Sequence, residues 1–298
     1  MRVLITGGAS GQLRHELVRT APIDVTLVGT VGTDGGARLD VTDVDAVAER
    51  VAELAPDVIV NAAAYTAVDR AESEPEVARA INVDGVRHLA EAALECGARL
   101  VHVSTDFVFD GGSPGADASG GPPYAEDAPT APLGVYGQTK REGERIVAAV
   151  LPESGTVMRT SWVYSAHGAN FVKTMLLLMN QRDEIGVVAD QIGSPTWARS
   201  LAEALWRSVE IGATGTLHWS GAGVASWYDL AVAVFEEGRT LGLVAGHPRV
   251  LPLRSEQYPT AAPRARSSVL ETSRTRERLD LPAVHWREDL RVMLGELA

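Results

Sequence analysis

Lysine is almost missing from this chain: of its 27 basic residues only Lys140 and Lys173 are lysines, and arginine supplies the rest. Cysteine occurs once, at Cys96. A lone thiol excludes an intrachain disulfide and a thiolate metal cluster, and it fits a reducing cytoplasm. Standing before Gly97 at an expected helix end, Cys96 reads as inert packing. Aromatic residues make up only 5 % of the chain, and five of the six tryptophans lie beyond residue 190. Positive charge is short too: a formal net charge of −12 argues against nucleic acid or an anionic membrane as the partner. An anionic ligand would then need helix N-termini and local arginines. No apolar run suits a membrane span or a signal segment, since Met1–Thr6 breaks at Gly7. Neither an internal repeat nor a heptad array is present. What remains is a globular chain of 298 residues, 45 % hydrophobic, sized for one large domain or two unequal ones.

Strand-like and helix-like segments alternate through the first half. Val3–Ile5, Val25–Val28, Asp57–Asn61, Arg99–Ser104 and Thr156–Thr160 read as short apolar strands. Gln12–Arg19, Asp43–Leu54 with Asp43 as its cap, a long Pro75–Glu95 and Tyr136–Val150 read as helices. Strands apolar on both sides suit a parallel sheet between helix layers, so the alternation predicts a doubly wound α/β fold. Residues 110–133, rich in Gly, Pro, Ala and Ser, read as a functional loop. Past about Ser165 the pattern changes to helices near 170–181, 197–211 and 226–241 with short strands such as Thr216–Ser220. Residues 1–165 are thus expected to form a dinucleotide-binding domain with the catalytic residues. Residues 166–298 form mainly a smaller α/β substrate-binding domain, some late segments returning to the main sheet.

One of the two lysines stands four residues after a tyrosine, in Tyr136-Gly137-Gln138-Thr139-Lys140. Helical positions four apart share a face. With so few tyrosines and lysines, chance predicts roughly 0.04 such pairs in the chain. An ammonium near Tyr136 would lower the phenol's pKa and make it a proton donor near neutral pH. Upstream, Thr6-Gly7-Gly8-Ala9-Ser10-Gly11 follows the first strand and opens the first helix, the context of a turn that admits a pyrophosphate. Arg14 occupies the place of a frequent third glycine. The second strand runs into Gly29-Thr30-Val31-Gly32 with no acid before Asp34, so nothing there repels a 2′-phosphate; NADPH is favoured, or NADH is accepted as well. Arg14 and Arg38 are candidates for that phosphate, against the plainer reading of each as a solvated arginine. Thr105 ends a central strand, where ligands bind in open sheets, and His102 within that strand reads as a satisfied core histidine.

Together these motifs resemble an extended short-chain dehydrogenase/reductase with a Rossmann-like sheet. Longer blocks are similar to the dTDP-4-dehydrorhamnose reductase family: Asn61–Glu72, Ser104–Gly111, Arg159–Tyr164, Asp190–Thr196 and Pro263–Leu270. The resemblance implies reduction of a 4-keto-6-deoxy dTDP-sugar, dTDP-4-dehydro-L-rhamnose to dTDP-L-rhamnose, with NADPH as hydride donor. It implies that Tyr136 protonates the C4 alkoxide, that Lys140 binds the nicotinamide ribose and lowers the tyrosine pKa, and that Thr105 orients the carbonyl. Gly7, Ser10, Gly11, Gln12 and Leu13 would approach the pyrophosphate. Asp40 and Val41 would meet the adenine, and Ala62, Ala63, Ala64, Tyr65 and Thr66 the inner ribose. Val68, Asp106, Phe107 and Trp162 would contact the sugar, and Arg264 the diphosphate. Some members hold magnesium at a dimer interface; Glu16 matches one ligand position, but Arg199 replaces an acid at another, so no metal is expected, and monomer and homodimer both stay open. Phe107 replaces a common tyrosine.

Three other readings remain beside this one. A sister reductase from a natural-product pathway differs only in its sugar. An epimerase or dehydratase would recycle its nicotinamide instead of consuming NADPH. A silent cofactor-binding regulatory subunit would lack turnover, which the intact Thr105, Tyr136 and Lys140 set opposes.

Overall fold

The structure, a computed structural model, describes residues 1–8, 10–28, 39–112 and 121–298. Ala9 of the glycine turn, Gly29–Gly32, Asp34 and Arg38 of the cofactor-preference reading, and residues 113–120 of the long loop lie outside the described residues.

Five strands of the first half, β1 (Arg2–Thr6), β2 (Thr26–Val28), β3 (Val58–Asn61), β4 (Arg99–Thr105) and β5 (Gly155–Thr160), are joined by a late strand, Gly215–His218. Their order across the sheet is Gly215–His218, β5, β4, β3, β1, β2. Every neighbouring pair is parallel. Residues alternate between two buried faces. Leu4, Ile59, Leu100 and Val157 pack in the layer that includes Val47, Leu89 and Val147 from helices Val44–Leu54, Gly85–Cys96 and Val135–Val150. Val3, Val58, Val60, Val101 and Met158 face Leu17, Leu201 and Leu205 from helices Gln12–Arg19 and Ala198–Glu210. Burial on both faces explains why the strands read as unbroken apolar runs. Near-complete burial of each Val, Leu or Ile contributes about 1.5–3 kcal/mol.

A third core gathers Tyr164, Val172, Met175, Trp197, Leu230, Val234, Trp286 and Leu290 around helices Phe171–Met179, Trp227–Thr240 and Trp286–Gly295. Asp43 and Ser226 cap their helices through side-chain oxygens, Ser226 in a reciprocal box with Asp229. The long helix expected from Pro75 is interrupted: Pro75–Arg79 passes into a π turn at Ala80–Asp84 before Gly85–Cys96. Cys96 is exposed at the end of this helix and not packed inside, because Gly97 turns the chain there with φ 74°. No helix of the described residues is long and apolar enough to cross a membrane.

Candidate active site

From β1 the chain winds outward to β2, whereas β3 pairs on the opposite side of β1, so the strand order reverses there. A crevice must open at the carboxyl ends of these strands. Gly7 sits at its floor with φ 117°, and a Cβ on it would stand 3.2 Å from the Ala62 carbonyl oxygen. Only glycine combines that backbone conformation with such an approach. Gly11 N–H donates to the Gly8 carbonyl at 2.9 Å and closes the turn at the start of the first helix.

A cleft of about 780 Å³ extends from this turn. Gly7, Ser10, Gly11, Gln12, Leu13, Asp40, Val41, Ala62, Ala63, Ala64 and Thr66 all line it, as does Arg14. Its far part reaches Val68, Thr105, Asp106, Phe107, Tyr136, Lys140 and Trp162. Tyr65 is the exception among the expected cofactor residues: its hydroxyl turns to the Glu74 carboxylate. Its backbone N–H donates to Asn82 Oδ1 at 2.9 Å, and Asn82 Nδ2 donates to Tyr65 O at 3.2 Å and to Thr139 Oγ1 at 3.1 Å. Asn82 lies in the π turn, so that irregular turn ties residues 62–66 to the helix bearing Tyr136. Thr160 Oγ1, also in the cleft wall, is buried with no hydrogen-bond partner among the described residues. The shape, the glycine floor and this unsatisfied hydroxyl fit a dinucleotide.

Thr105 ends β4 and caps a short 3₁₀ turn, accepting from Phe107 N–H at 3.2 Å and donating to Asp106 Oδ1 at 3.1 Å. Tyr136 opens the helix Val135–Val150, whose first N–H is taken by Glu72 Oε1 at 2.8 Å. Behind it the buried Arg159 guanidinium forks onto Glu144 at 2.9 and 2.8 Å, and Ser104 Oγ donates to Glu144 at 2.6 Å. That network fixes the helix against β4 and β5.

The electrostatics correct one expectation. Burial pushes the Tyr136 phenol up to about 12, a hydrogen bond with Thr105 opposing and the Asp106 charge adding to the rise. Lys140 does not bring it down here, because its Nζ turns to β4, donating to the Val103 carbonyl at 2.7 Å and lying 3.2 Å from His102 Nε2. Burial lowers the Lys140 pKa to about 8, with Glu144 opposing.

A smaller pocket of about 50 Å³ adjoins Tyr136 and is lined by Val68, Asp106, Phe107, Trp162 and Arg264, together with Gln191, Trp227 and Ser268. Trp162 carries φ 47°, a left-handed conformation costly for a bulky residue. Its indole stacks on Trp227 with centroids 3.6 Å apart. Burial pushes Asp106 up to about 6, although Ser268 Oγ donates to its Oδ2 at 2.5 Å. Arg264 is already held: Nη2 pairs with Asp69 at 2.8 Å, Nη1 donates to the Ala262 carbonyl at 3.0 Å, and the guanidinium sits 5.6 Å from the Phe107 ring centre. Sequence reasoning missed Trp227, Ser268, Asn82 and Thr160. Of these, Thr160 and Ser268 carried a local signal, since each lies in a block already matched to the family.

Away from the cleft, Glu16, His167 and Glu296 bring possible ligand atoms within 4.8 Å of one another. Arg199 reaches into this group, with Nε 3.3 Å from Glu16 and a second contact to Glu296, and Arg19 pairs with Glu296 at 2.9 Å. Two guanidinium groups thus already balance the carboxylates.

The profile of the RmlD substrate binding domain matches residues 1–298. The chain belongs to this family. Among RmlD-type relatives, a dTDP-4-dehydrorhamnose reductase of Streptomyces griseus is 45 % identical over 97 % of this chain and 91 % of its own. A protein of Streptomyces antibioticus named as a probable dTDP-4,6-dihydroxy-2-methyloxan-3-one 4-ketoreductase is 44 % identical over 98 % of this chain and 94 % of its own. The crystal structure of dTDP-4-dehydrorhamnose reductase from Bacillus anthracis in complex with NADP superposes with a TM-score of 0.87 at 35 % identity, covering 99 % of each chain.

Proposed function

We propose that this RmlD-family chain is an NADPH-dependent reductase of dTDP-4-dehydro-L-rhamnose, producing dTDP-L-rhamnose. The observation that carries the reading is that Asp106 and Tyr136 line both the large cleft and the small pocket, with Thr105 and Lys140 in the wall of the large cleft. The long cleft suits the dinucleotide, and the pocket beside Tyr136 suits a sugar. When bound, the nicotinamide supplies the hydride for a C4 carbonyl.

The chain supplies the rest. Thr105 Oγ1 and the Tyr136 hydroxyl hold the carbonyl oxygen, and the phenolic proton passes to that oxygen as it becomes an alkoxide. A phenol near 12 stays protonated through the neutral range, so the acid is loaded when a substrate arrives. It has no tendency to lose that proton until a stronger base, the alkoxide, forms beside it. Lys140 anchors the ribose. The backbone around Gly7 and Gly11 takes the pyrophosphate, and Phe107 and Trp162 offer apolar faces to the sugar. Nucleotide sugar is the only partner proposed.

A related reading, reduction of a different 4-keto deoxysugar, is favoured by the 44 % identity to the Streptomyces antibioticus protein. The test is NADPH oxidation with dTDP-4-dehydrorhamnose, compared with NADH and with other dTDP-4-keto sugars. Stoichiometric NADPH consumption on the rhamnose precursor is expected. Turnover confined to another sugar would move the assignment to the sister reaction, and absence of any turnover would leave only a binding protein.

A further inference from the structure

Most charged side chains around the small pocket already hold protein partners. Glu72 Oε1 takes the Val135 N–H, Asp106 takes the Thr105 and Ser268 hydroxyls, and Arg264 is held by Asp69 and the Ala262 carbonyl. Gln191 lines the same pocket and differs from them. Its side chain makes one hydrogen bond among the described residues, from Nε2 to Ser255 Oγ at 3.0 Å.

The neighbours decide the direction of that bond. The two Asp190 oxygens accept from the Ser255 backbone N–H at 2.9 and 3.1 Å, and Oδ1 lies 2.7 Å from Ser255 Oγ. Burial works to raise the Asp190 pKa, but hydrogen bonds from the Ser255 hydroxyl and backbone, with help from Arg266, hold it below its ordinary value. Near neutral pH the group is a carboxylate, which only accepts. The one proton of the Ser255 hydroxyl therefore goes to Asp190, and Oγ accepts from Gln191. An amide turned the other way would set two oxygens against each other with no proton between them. Nε2 is thus fixed at Ser255, and Oε1 has no hydrogen-bond partner among the described residues. The backbone is tied as well: Ile192 N–H donates to the Arg266 carbonyl at 2.8 Å, and Ser268 N–H donates to the Ile192 carbonyl at 2.9 Å.

We propose that Gln191 is a specificity-determining residue whose Oε1, oriented by Asp190 and Ser255, accepts a ring hydroxyl of the keto sugar. This role rests on the reductase reading of the pocket. In a 4-keto-6-deoxy sugar joined to its diphosphate at C1, C4 is a carbonyl and C6 a methyl, so donors remain only at C2 and C3. A sugar lacking the matched hydroxyl leaves Oε1 unpaired and is bound less well.

The experiment compares kcat/KM for NADPH oxidation with dTDP-4-dehydro-L-rhamnose and with its 2-deoxy and 3-deoxy counterparts, in the wild type, Gln191→Leu and Ser255→Ala. Gln191→Leu should lose about tenfold on the full substrate, through KM and with the Kd for NADPH unchanged. The loss should disappear with whichever deoxy sugar lacks the matched hydroxyl. Ser255→Ala frees the carboxamide to turn and should give a smaller loss of the same pattern. Equal losses on all three sugars, or no loss, overturn the role of Gln191 and leave the reductase reading intact. If the wild type oxidises NADPH with no dTDP-4-keto sugar, the reductase reading falls. Calorimetry with dTDP-L-rhamnose then decides the contact alone: weaker binding to Gln191→Leu than to the wild type supports it. Equal binding, or binding to neither protein, ends it.

Discussion

Trp162 lies flat on Trp227, with ring centroids 3.6 Å apart and planes inclined by 5°. The two residues come from different parts of the chain, one after β5 and one at the start of the helix Trp227–Thr240. The stack buttresses an indole whose backbone is held at φ 47°. Such a stack contributes about 0.5–1.5 kcal/mol beyond the area it buries. Trp227→Ala should therefore raise KM for the sugar nucleotide several-fold while the Kd for NADPH stays close to wild type. Equal loss of both affinities in titrations would assign Trp227 to general stability instead.

Tyr136→Phe keeps the ring, including its 5.4 Å edge contact with Phe107, and removes only the proton. Loss of a positioned general acid lowers kcat by about 10²–10⁴-fold. NADPH binding, followed by fluorescence titration, should be nearly unchanged. Near-normal steady-state turnover in this variant would remove Tyr136 from the chemistry.

Gly137 faces the backbone: a Cβ there would stand 2.2 Å from the Phe107 carbonyl oxygen. Gly137→Ala must push the helix off the turn after β4 and carry Tyr136 away from Thr105. Overpacking of this kind costs about 1–3 kcal/mol. A lower Tm, together with a fall in kcat larger than any change in NADPH affinity, is expected. A variant with wild-type Tm and kcat would show that the helix end has room to spare.

Asp106 gives a pH dependence with a definite sign. Its folded-state pKa, about 6, lies above the ordinary 3.8, so between these values the folded protein keeps a proton that the unfolded chain has released. The corresponding stability is fully present below about 3.8 and lost as pH rises through about 6. Urea denaturation at several pH values should show a smaller fall in stability over this window for Asp106→Asn than for the wild type. Ser268→Ala removes a hydrogen bond that favours the charged carboxylate and should move the window upward. Superimposable curves for wild type and Asp106→Asn would assign the dependence to another group, such as the buried Asp289 near 7.

Thr105, Tyr136 and Lys140 could be read from the chain because strand ends and helix faces are local properties. Spacing placed the last two on one face but could not say which group takes the ammonium, since Val103 and His102 arrive from a neighbouring strand. The π turn was invisible for a related reason: shifting hydrogen bonds by one residue within a continuous helix leaves the apolar pattern almost intact. Trp227 reaches the pocket by tertiary folding alone, without any motif linking it to Tyr136, whereas Ser268 lies in the Pro263–Leu270 block but meets Asp106 only through the fold. Arg264 was found by its block, yet its Asp69 partner lies 195 positions away.

The sixth strand has a consequence for how the chain is assembled. Gly215–His218 covers the outer edge of β5, so the sheet stays open on that side until residue 218 has been synthesised. A growing chain that stops after β5 exposes a row of unpaired backbone groups next to the strand carrying Arg159. Partial products of this protein should be the species that chaperones meet, and a fragment ending near residue 165 is poorly suited to an independent existence.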